Sequence, residues 1–318
     1  MNFEISRKPQ EYGKVAVLLG GNSAERDISL MSGEAIFSAL IKSGVDAVKV
    51  DPKDGLINQL IDKSIERVFI ALHGREGEDG VVQGCLQSMG IPYTGSNVVS
   101  AAMSMDKLIS KRLWKQMGIP TAHFSSVEKG QKFTEIEARR LFAKLGPVLF
   151  VKPVKEGSSV GMSKVSDEKS LVEGVRLAHQ YDNQALVETF TSGKEYTVSI
   201  LRGKALPSIS METPRDFYDY EAKYQSNQTK YFCPSGLSDD DETVLQRLAL
   251  KAFGALGCSG WGRVDFIRDG EFGEFLILEA NTVPGMTMTS LVPKAAKAVG
   301  LGFEQLVLNI LETSFDVR

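Results

Sequence analysis

Over the first hundred residues, short apolar runs alternate with amphipathic stretches. Val15-Ala16-Val17-Leu18-Leu19 ends in Gly20-Gly21, as a strand buried on both faces of a parallel sheet would read. Behind it Ile28, Met31, Ala35, Ile36, Ala39 and Leu40 recur near helical spacing and stop at Gly44, which predicts one amphipathic helix closed by glycine. The alternation repeats, with strands over 46–50 and 67–72 and helices over 56–64 and 80–89. Strands joined by single helices and short connections fold as a parallel sheet with crossover helices. An α/β unit over residues 1–104 is therefore expected.

The pattern then changes. Helices are predicted over 106–117 and 135–144, followed by a strand over 148–152 and a Gly/Ser-rich segment, 154–165, that reads as a β-loop-β hairpin. A helix over 171–179 and a strand over 185–188 complete a second unit, 105–188, and Thr191-Ser192-Gly193 is a candidate hinge. The remainder, 189–318, reads as an α+β unit. Strands over 196–201 and 205–211 flank Arg202-Gly203-Lys204, and Ser238 caps a helix whose stripe is Leu245, Leu248, Ala249, Ala252, Phe253 and Leu256. Strands over 262–267 and 275–280 and two helices close the chain. Residues 212–236 show no period, and so long a loop in a compact protein is usually functional or disordered.

Composition narrows the classes. The 318 residues are 42% apolar and 24% charged, ordinary for a soluble globular protein. Length alone suggests about two domains, but the patterning divides the chain into three. A net charge of −3 argues against nucleic-acid binding by bulk charge. No apolar run approaches the roughly 18–20 residues that span a bilayer, and the opening residues lack the apolar core of a signal peptide. Three scattered cysteines, Cys85, Cys233 and Cys258, make neither a disulfide framework nor a zinc pattern and suit a reducing, cytoplasmic setting. Glycine is enriched, 30 residues, and much of it falls at 20–21, 74–84, 157–161 and 257–262.

Candidate chemistry sits beside those glycines. In a strand alternate side chains share a face, so Arg263 pairs in direction with Asp265, and Glu279 with Asn281, with Leu276, Leu278 and Ala280 on the other side. Pairing of the two strands brings Asp265, Glu279 and Asn281 together. Such oxygen donors suit a hard divalent cation; an ion pair with Arg263 on a sheet face fits the same pattern. Lys152, followed by Glu156-Gly157-Ser158-Ser159-Val160-Gly161, can aim backbone N–H groups and one cation at phosphate oxygens, though it is not a Walker A sequence and a plain hairpin tip reads the same way. After the first strand, Gly20-Gly21-Asn22-Ser23-Ala24-Glu25-Arg26 lacks the dinucleotide glycine spacing, which disfavours a nicotinamide dehydrogenase, yet Glu25 lies where open α/β sheets bind ligands. His73, after the third strand, is placed to orient a substrate carboxylate or to cap its loop.

In combination these stretches resemble the D-alanine–D-alanine ligases of the ATP-grasp superfamily. The resemblance runs from about residue 14 to 312. It rests on His73-Gly74-Arg75-Glu76-Gly77-Glu78-Asp79-Gly80, on Gly262-Arg263-Val264-Asp265, and on Leu278-Glu279-Ala280-Asn281-Thr282-Val283-Pro284-Gly285. Met105-Asp106-Lys107, the 156–161 loop and Asp219-Tyr220-Glu221-Ala222-Lys223-Tyr224 support it. It implies a three-domain ATP-grasp fold with ATP between the second and third domains. It also implies ligation of two D-alanine molecules through an acyl phosphate, for peptidoglycan precursor synthesis.

By the same resemblance Lys107, Lys152, Gly157, Ser158, Ser159 and Lys223 lie with ATP, and Glu188 and Glu195 hold the adenine linker and ribose. Thr189 stands where the family usually has lysine. Asp265, Glu279 and Asn281 are implied as ligands of two Mg²⁺ or Mn²⁺ ions, with Arg263 and the Gly285 N–H as oxyanion donors. Glu25 would take the first substrate's ammonium, with His73 nearby, and Ser290 and Leu291 the second substrate's carboxylate. Ser158 and Tyr224 would close the site together with the 212–236 loop. Tyr224 favours a dipeptide over a D-alanyl-D-lactate product, the alternative within the superfamily; a homodimer is implied by the family alone. A non-catalytic nucleotide-binding relative would be expected to lose the Asp265, Glu279 and Asn281 set.

Overall fold

The computed structural model describes residues 3–157, 160–212, 229–270 and 273–316. Three sheets organise them. In the first, β1 (Val15–Leu18), β2 (Ala47–Val50) and β3 (Arg67–Ile70) run parallel in the order β2-β1-β3, and Tyr93 bridges in parallel to Val68. All four residues of β1 are buried, which is why its run is continuously apolar rather than alternating. The helices α1 (Arg26–Lys42), α2 (Leu56–Asp62) and α3 (Val81–Ser88) follow the strands as expected.

Two helices then abut. α4 (Val98–Met105) is capped by Asn97, and Asp106 both ends it and caps α5 (Lys107–Gln116), accepting from the Ile109 N–H at 2.9 Å. The sequence reading missed α4 because its small residues, Ser100, Ala101 and Ser104, blur the apolar period. The second sheet is antiparallel, β4-β7-β5-β6, from β4 (Phe124–Glu128), β5 (Leu149–Pro153), β6 (Ser163–Val165) and β7 (Gln184–Thr189). α6 (Glu135–Leu145) and α7 (Glu168–Tyr181) share its core. The expected 154–165 hairpin is present as β5 paired to β6, while β4, a half-polar edge strand, was not anticipated.

The third sheet has the order β11-β10-β8-β12-β13, with β9 also on β8. Its strands are β8 (Gly193–Leu201), β9 (Lys204–Ala205), β10 (Ile209–Glu212), β11 (Lys230–Phe232), β12 (Trp261–Asp269) and β13 (Phe275–Asn281). The expected 205–211 strand is split around Pro207, which has no N–H to give a ladder; both pieces pair with β8. Within 212–236, β11 is an ordinary edge strand, and residues 213–228 lie outside the described residues. Gly193, expected at a hinge, begins β8 opposite Asp269. α8 (Asp239–Ala255) carries the anticipated stripe, and α9 (Leu291–Ala298) and α10 (Phe303–Glu312) end the chain.

One hydrophobic core joins β1–β3 to the last two helices, with Ile36, Phe69, Leu306 and Ile310 all in it. A polar knot seals its edge. Glu312 accepts from Tyr12 Oη at 2.7 Å and Ser6 Oγ at 3.0 Å and pairs with Arg7 at 2.5 Å. Burial pushes the Glu312 carboxyl up, but these hydrogen bonds and the Arg7 charge outweigh it and hold it below the usual carboxylate range. With the folded value depressed, the unfolded chain takes the proton more readily. The knot's contribution is thus present at neutral pH and lost as pH falls through the carboxylate range. Glu312→Gln should flatten the acid limb of a stability-versus-pH curve; an unchanged acid limb would refute this account.

Candidate functional site

A cleft lies where the three sheets meet, and it has two lobes. The larger, about 250 Å³, is lined by Glu25, Glu78, Lys107, Gly157, Gly285 and Ser290, among others. The smaller, about 130 Å³, is lined by Phe150, Lys152, Glu188, Phe190, Glu195 and Leu278, among others. Arg263, Glu279 and Leu291 line both, so the lobes are continuous.

β12 and β13 build the floor. Arg263 lies opposite Asn281 and Asp265 opposite Glu279, so the four share one face, as the alternation predicted. Arg263 grips Asp265 through two hydrogen bonds of 2.7 Å; Thr197 Oγ1 donates to Asp265 at 2.7 Å and the Asn281 amide at 3.0 Å. The register shifts between Asp265 and Phe266, leaving Leu278 without a partner in the ladder. That bulge turns Leu278 into the smaller lobe, away from the face it was expected to share with Ala280.

The lysines come from α5 and β5. Lys107, the first residue of α5, donates to the Glu156 carbonyl at 2.8 Å and lies 3.3 Å from Glu279 Oε2. Glu188 on β7 is buried between two ammonium groups, Lys111 at 2.5 Å on one oxygen and Lys152 on the other. Burial would raise the Glu188 carboxyl, but the two lysine charges prevail and lower it. Lys111, fully buried, is pulled down by desolvation first and by Lys152, against the pull of Glu188.

On the opposite wall Glu25 precedes α1. A side chain on Gly74 (φ +69°) would come within 2.6 Å of its carboxylate, and one on Gly157 within 3.2 Å, so two glycines let backbone approach it closely. Glu78 accepts from the Gly74 and Val283 N–H groups at 2.9 and 3.0 Å. Burial, then the charge of Glu25, push its carboxyl up to about 7 against those two bonds. His73 is buried behind this wall, with Nδ1 2.8 Å from the Val283 carbonyl and Nε2 3.2 Å from Ser32 Oγ. Desolvation lowers its pKa. Both ring nitrogens are thus engaged by protein, and the imidazole ties the 73–80 loop to the 283–286 turn. Ser290 is the N-cap residue just before α9; its Oγ accepts from the Thr287 N–H at 3.0 Å, and a Cβ on Gly285 would lie 3.1 Å from that oxygen.

Comparison with known proteins places this arrangement. Residues 113–312 match the family model described as D-ala D-ala ligase C-terminus, and residues 53–96 the one described as D-ala D-ala ligase N-terminus. The chain is 54% identical over 303 residues to the D-alanine–D-alanine ligase of Pseudoalteromonas atlantica, covering 95% of each. The chain belongs to the D-alanine–D-alanine ligase family. Its fold is correspondingly similar to the crystal structure of the Bacillus anthracis ligase, with a TM-score of 0.83 at 36% identity, covering 95% of this chain and 97% of that one. A Bacillus anthracis D-alanine–D-alanine ligase complexed with ATP gives 0.82 at 34% identity over the same shares. The expected ATP-grasp architecture is the one observed.

Of the anticipated residues, Glu25, Lys107, Lys152, Gly157, Glu188, Glu195, Arg263, Asp265, Glu279, Asn281, Gly285, Ser290 and Leu291 all line the cleft of this family member. Ser158, Ser159, Lys223 and Tyr224 lie outside the described residues. Thr189 donates to the Leu145 carbonyl at 2.7 Å. Sequence reasoning missed Lys111, Glu78 and Thr197. Lys111 carried a signal, since it stands four residues after Lys107 and so on the same helix face.

Proposed function

We propose that the two lobes divide the labour of the reaction, nucleotide in the smaller and the two amino acids in the larger. The reaction itself follows from the family: ADP-forming ligation of D-alanine to D-alanine with ATP, in peptidoglycan synthesis. What supports this division is the convergence of both lobes on Arg263 and Glu279.

The smaller lobe has the chemistry of a purine site. Phe150, Met162, Phe190, Met211 and Leu278 offer apolar walls, and Glu195 a carboxylate for ribose hydroxyls. Lys107, Lys152 and the backbone at Gly157 stand where the phosphates would point, toward the shared floor. In the larger lobe Glu25 receives the first D-alanine's ammonium, leaving its carboxylate beside Arg263 for phosphorylation. The N-terminus of α9, with Ser290 and Leu291, receives the second substrate's carboxylate, as free N–H groups and the helix dipole favour. The second amine, having lost its extra proton, then attacks the acyl phosphate; the oxyanion is met by the Arg263 guanidinium and the Gly285 N–H, and its collapse breaks the C–O bond and expels inorganic phosphate.

Asp265, Glu279 and Asn281 fit Mg²⁺ or Mn²⁺: all are oxygen donors on one face, and Mg²⁺ is commonly held by one or two carboxylates together with substrate phosphates. Bound there, two such ions would neutralise phosphate charge. A cytoplasmic setting suits the three free thiols. A homodimer is what the family implies; sedimentation equilibrium reads it directly.

Phosphate release with ATP, Mg²⁺ and a panel of acceptors tests the whole reading. D-alanine is expected to drive turnover, D-lactate to do so poorly, and EDTA to stop it. D-alanine-independent hydrolysis alone, or turnover unaffected by EDTA, would reject it.

A further inference from the structure

Lys111 is buried where the reaction just described has no use for it. It lies one turn beyond Lys107 on α5, its ammonium 2.5 Å from Glu188 Oε1 and 2.5 Å from Thr121 Oγ1, with the Ile277 carbonyl at 3.5 Å. Its side chain has 0% exposure, whereas Lys152, on the other Glu188 oxygen, keeps 8% and borders the smaller lobe. Two ammonium groups thus share one carboxylate; Glu279, the further anion acting on Lys111, is already matched by Lys107 at 3.3 Å. One positive charge is left over, and it belongs to the lysine that faces the lobe.

A buried carboxylate stripped of its only cation is strongly destabilised, and the strain is avoided by keeping the pair together. Were Lys152 the sole partner of Glu188, it could not leave for a phosphate without incurring that cost. Lys111 removes the obstacle, because it stays with Glu188 whatever Lys152 does. We propose that Lys111 is the standing counter-ion of Glu188, a positioning residue that releases Lys152 to engage the nucleotide's polyphosphate. The inference rests on the reading that Lys152 contacts those phosphates.

Steady-state kinetics of the full chain separate the possibilities. Lys111→Met should raise the KM for ATP about tenfold or more, with the KM for D-alanine little changed. The thermal midpoint should not fall, since a buried apolar stem replaces an ion and a neutral Lys152–Glu188 pair remains. Adding Glu188→Gln should restore the KM for ATP to that of Glu188→Gln alone, because nothing then holds Lys152 back. An unchanged KM for ATP in Lys111→Met overturns the proposal, as does a failure of the second substitution to rescue it. If Lys111→Met does not fold, Glu188→Gln is compared with the double variant: equal values support the proposal and a gap overturns it. Lys152→Ala separates the two levels. If it leaves the KM for ATP unchanged, the assignment of phosphates to Lys152 is wrong; if it raises that KM while Lys111→Met does not, only the role of Lys111 is lost.

Discussion

Arg263→Met should lower kcat about a hundred- to a thousandfold, the usual loss for one oxyanion donor. Arg263 borders both lobes of the cleft, and its fork is held flat by two 2.7 Å bonds to Asp265. Its position is therefore fixed before substrate arrives, which is what makes such a donor effective. Arg263→Lys should recover little, because an ammonium cannot reproduce the two-point grip on Asp265 and still point at the reacting carbon. The thermal midpoint should fall in Arg263→Met, which strips the buried Asp265 of its guanidinium partner, and fall less in Arg263→Lys. The hydrogen bonds that Asp265 accepts from Thr197 and Asn281 soften the loss. Single-turnover and steady-state rates on folded protein check this, and a kcat within tenfold of the parent would remove Arg263 from the chemistry.

Gly193→Ala should destabilise the third sheet by about 3 kcal/mol or more, in the range of severe overpacking. A Cβ there would lie 1.8 Å from the Arg268 carbonyl oxygen, a backbone atom that cannot rotate away. β8 is the central strand on which β9, β10 and β12 all pair, so parting it from β12 would also displace Thr197 and the floor of the cleft. The same substitution at Gly254, in α8, meets nothing within 4 Å and should stabilise by up to about 1 kcal/mol, as alanine does over glycine in a helix interior. Thermal unfolding of the two variants side by side gives opposite signs if close approach is the cause. A loss at both positions would mean that crowding at Gly193 is not the explanation.

Much of this architecture was legible in the chain. Apolar period distinguished strands from helices in the first unit because β1 is buried throughout and α1 along one stripe. Arg263, Asp265, Glu279 and Asn281 were readable as a set because strand alternation is a strict geometric rule. What escaped was set by tertiary contacts. The bulge at Leu278 has no local signature, since it depends on how β12 and β13 meet. β4 reads as polar because an edge strand buries little. Lys111 looks like one more surface lysine in Lys107-Leu108-Ile109-Ser110-Lys111-Arg112, and only the packing of α5 against β7 makes it an interior charge. His73 was read from its place after a strand, but its neighbours Val283 and Ser32 are remote in sequence.

The core shared by the first sheet and the last two helices bears on how the cleft works. Glu25 stands at the head of α1 and Ser290 at the head of α9, and both helices are rooted in that one body, pinned further by the Glu312 knot between the two ends of the chain. On the proposed roles of Glu25 and Ser290, the distance from donor ammonium to acceptor carboxylate is then set by a single solid piece, like the fixed jaw of a vice. In that geometry the ruler that would measure a dipeptide is built without the sheet that carries Lys152 and Glu188.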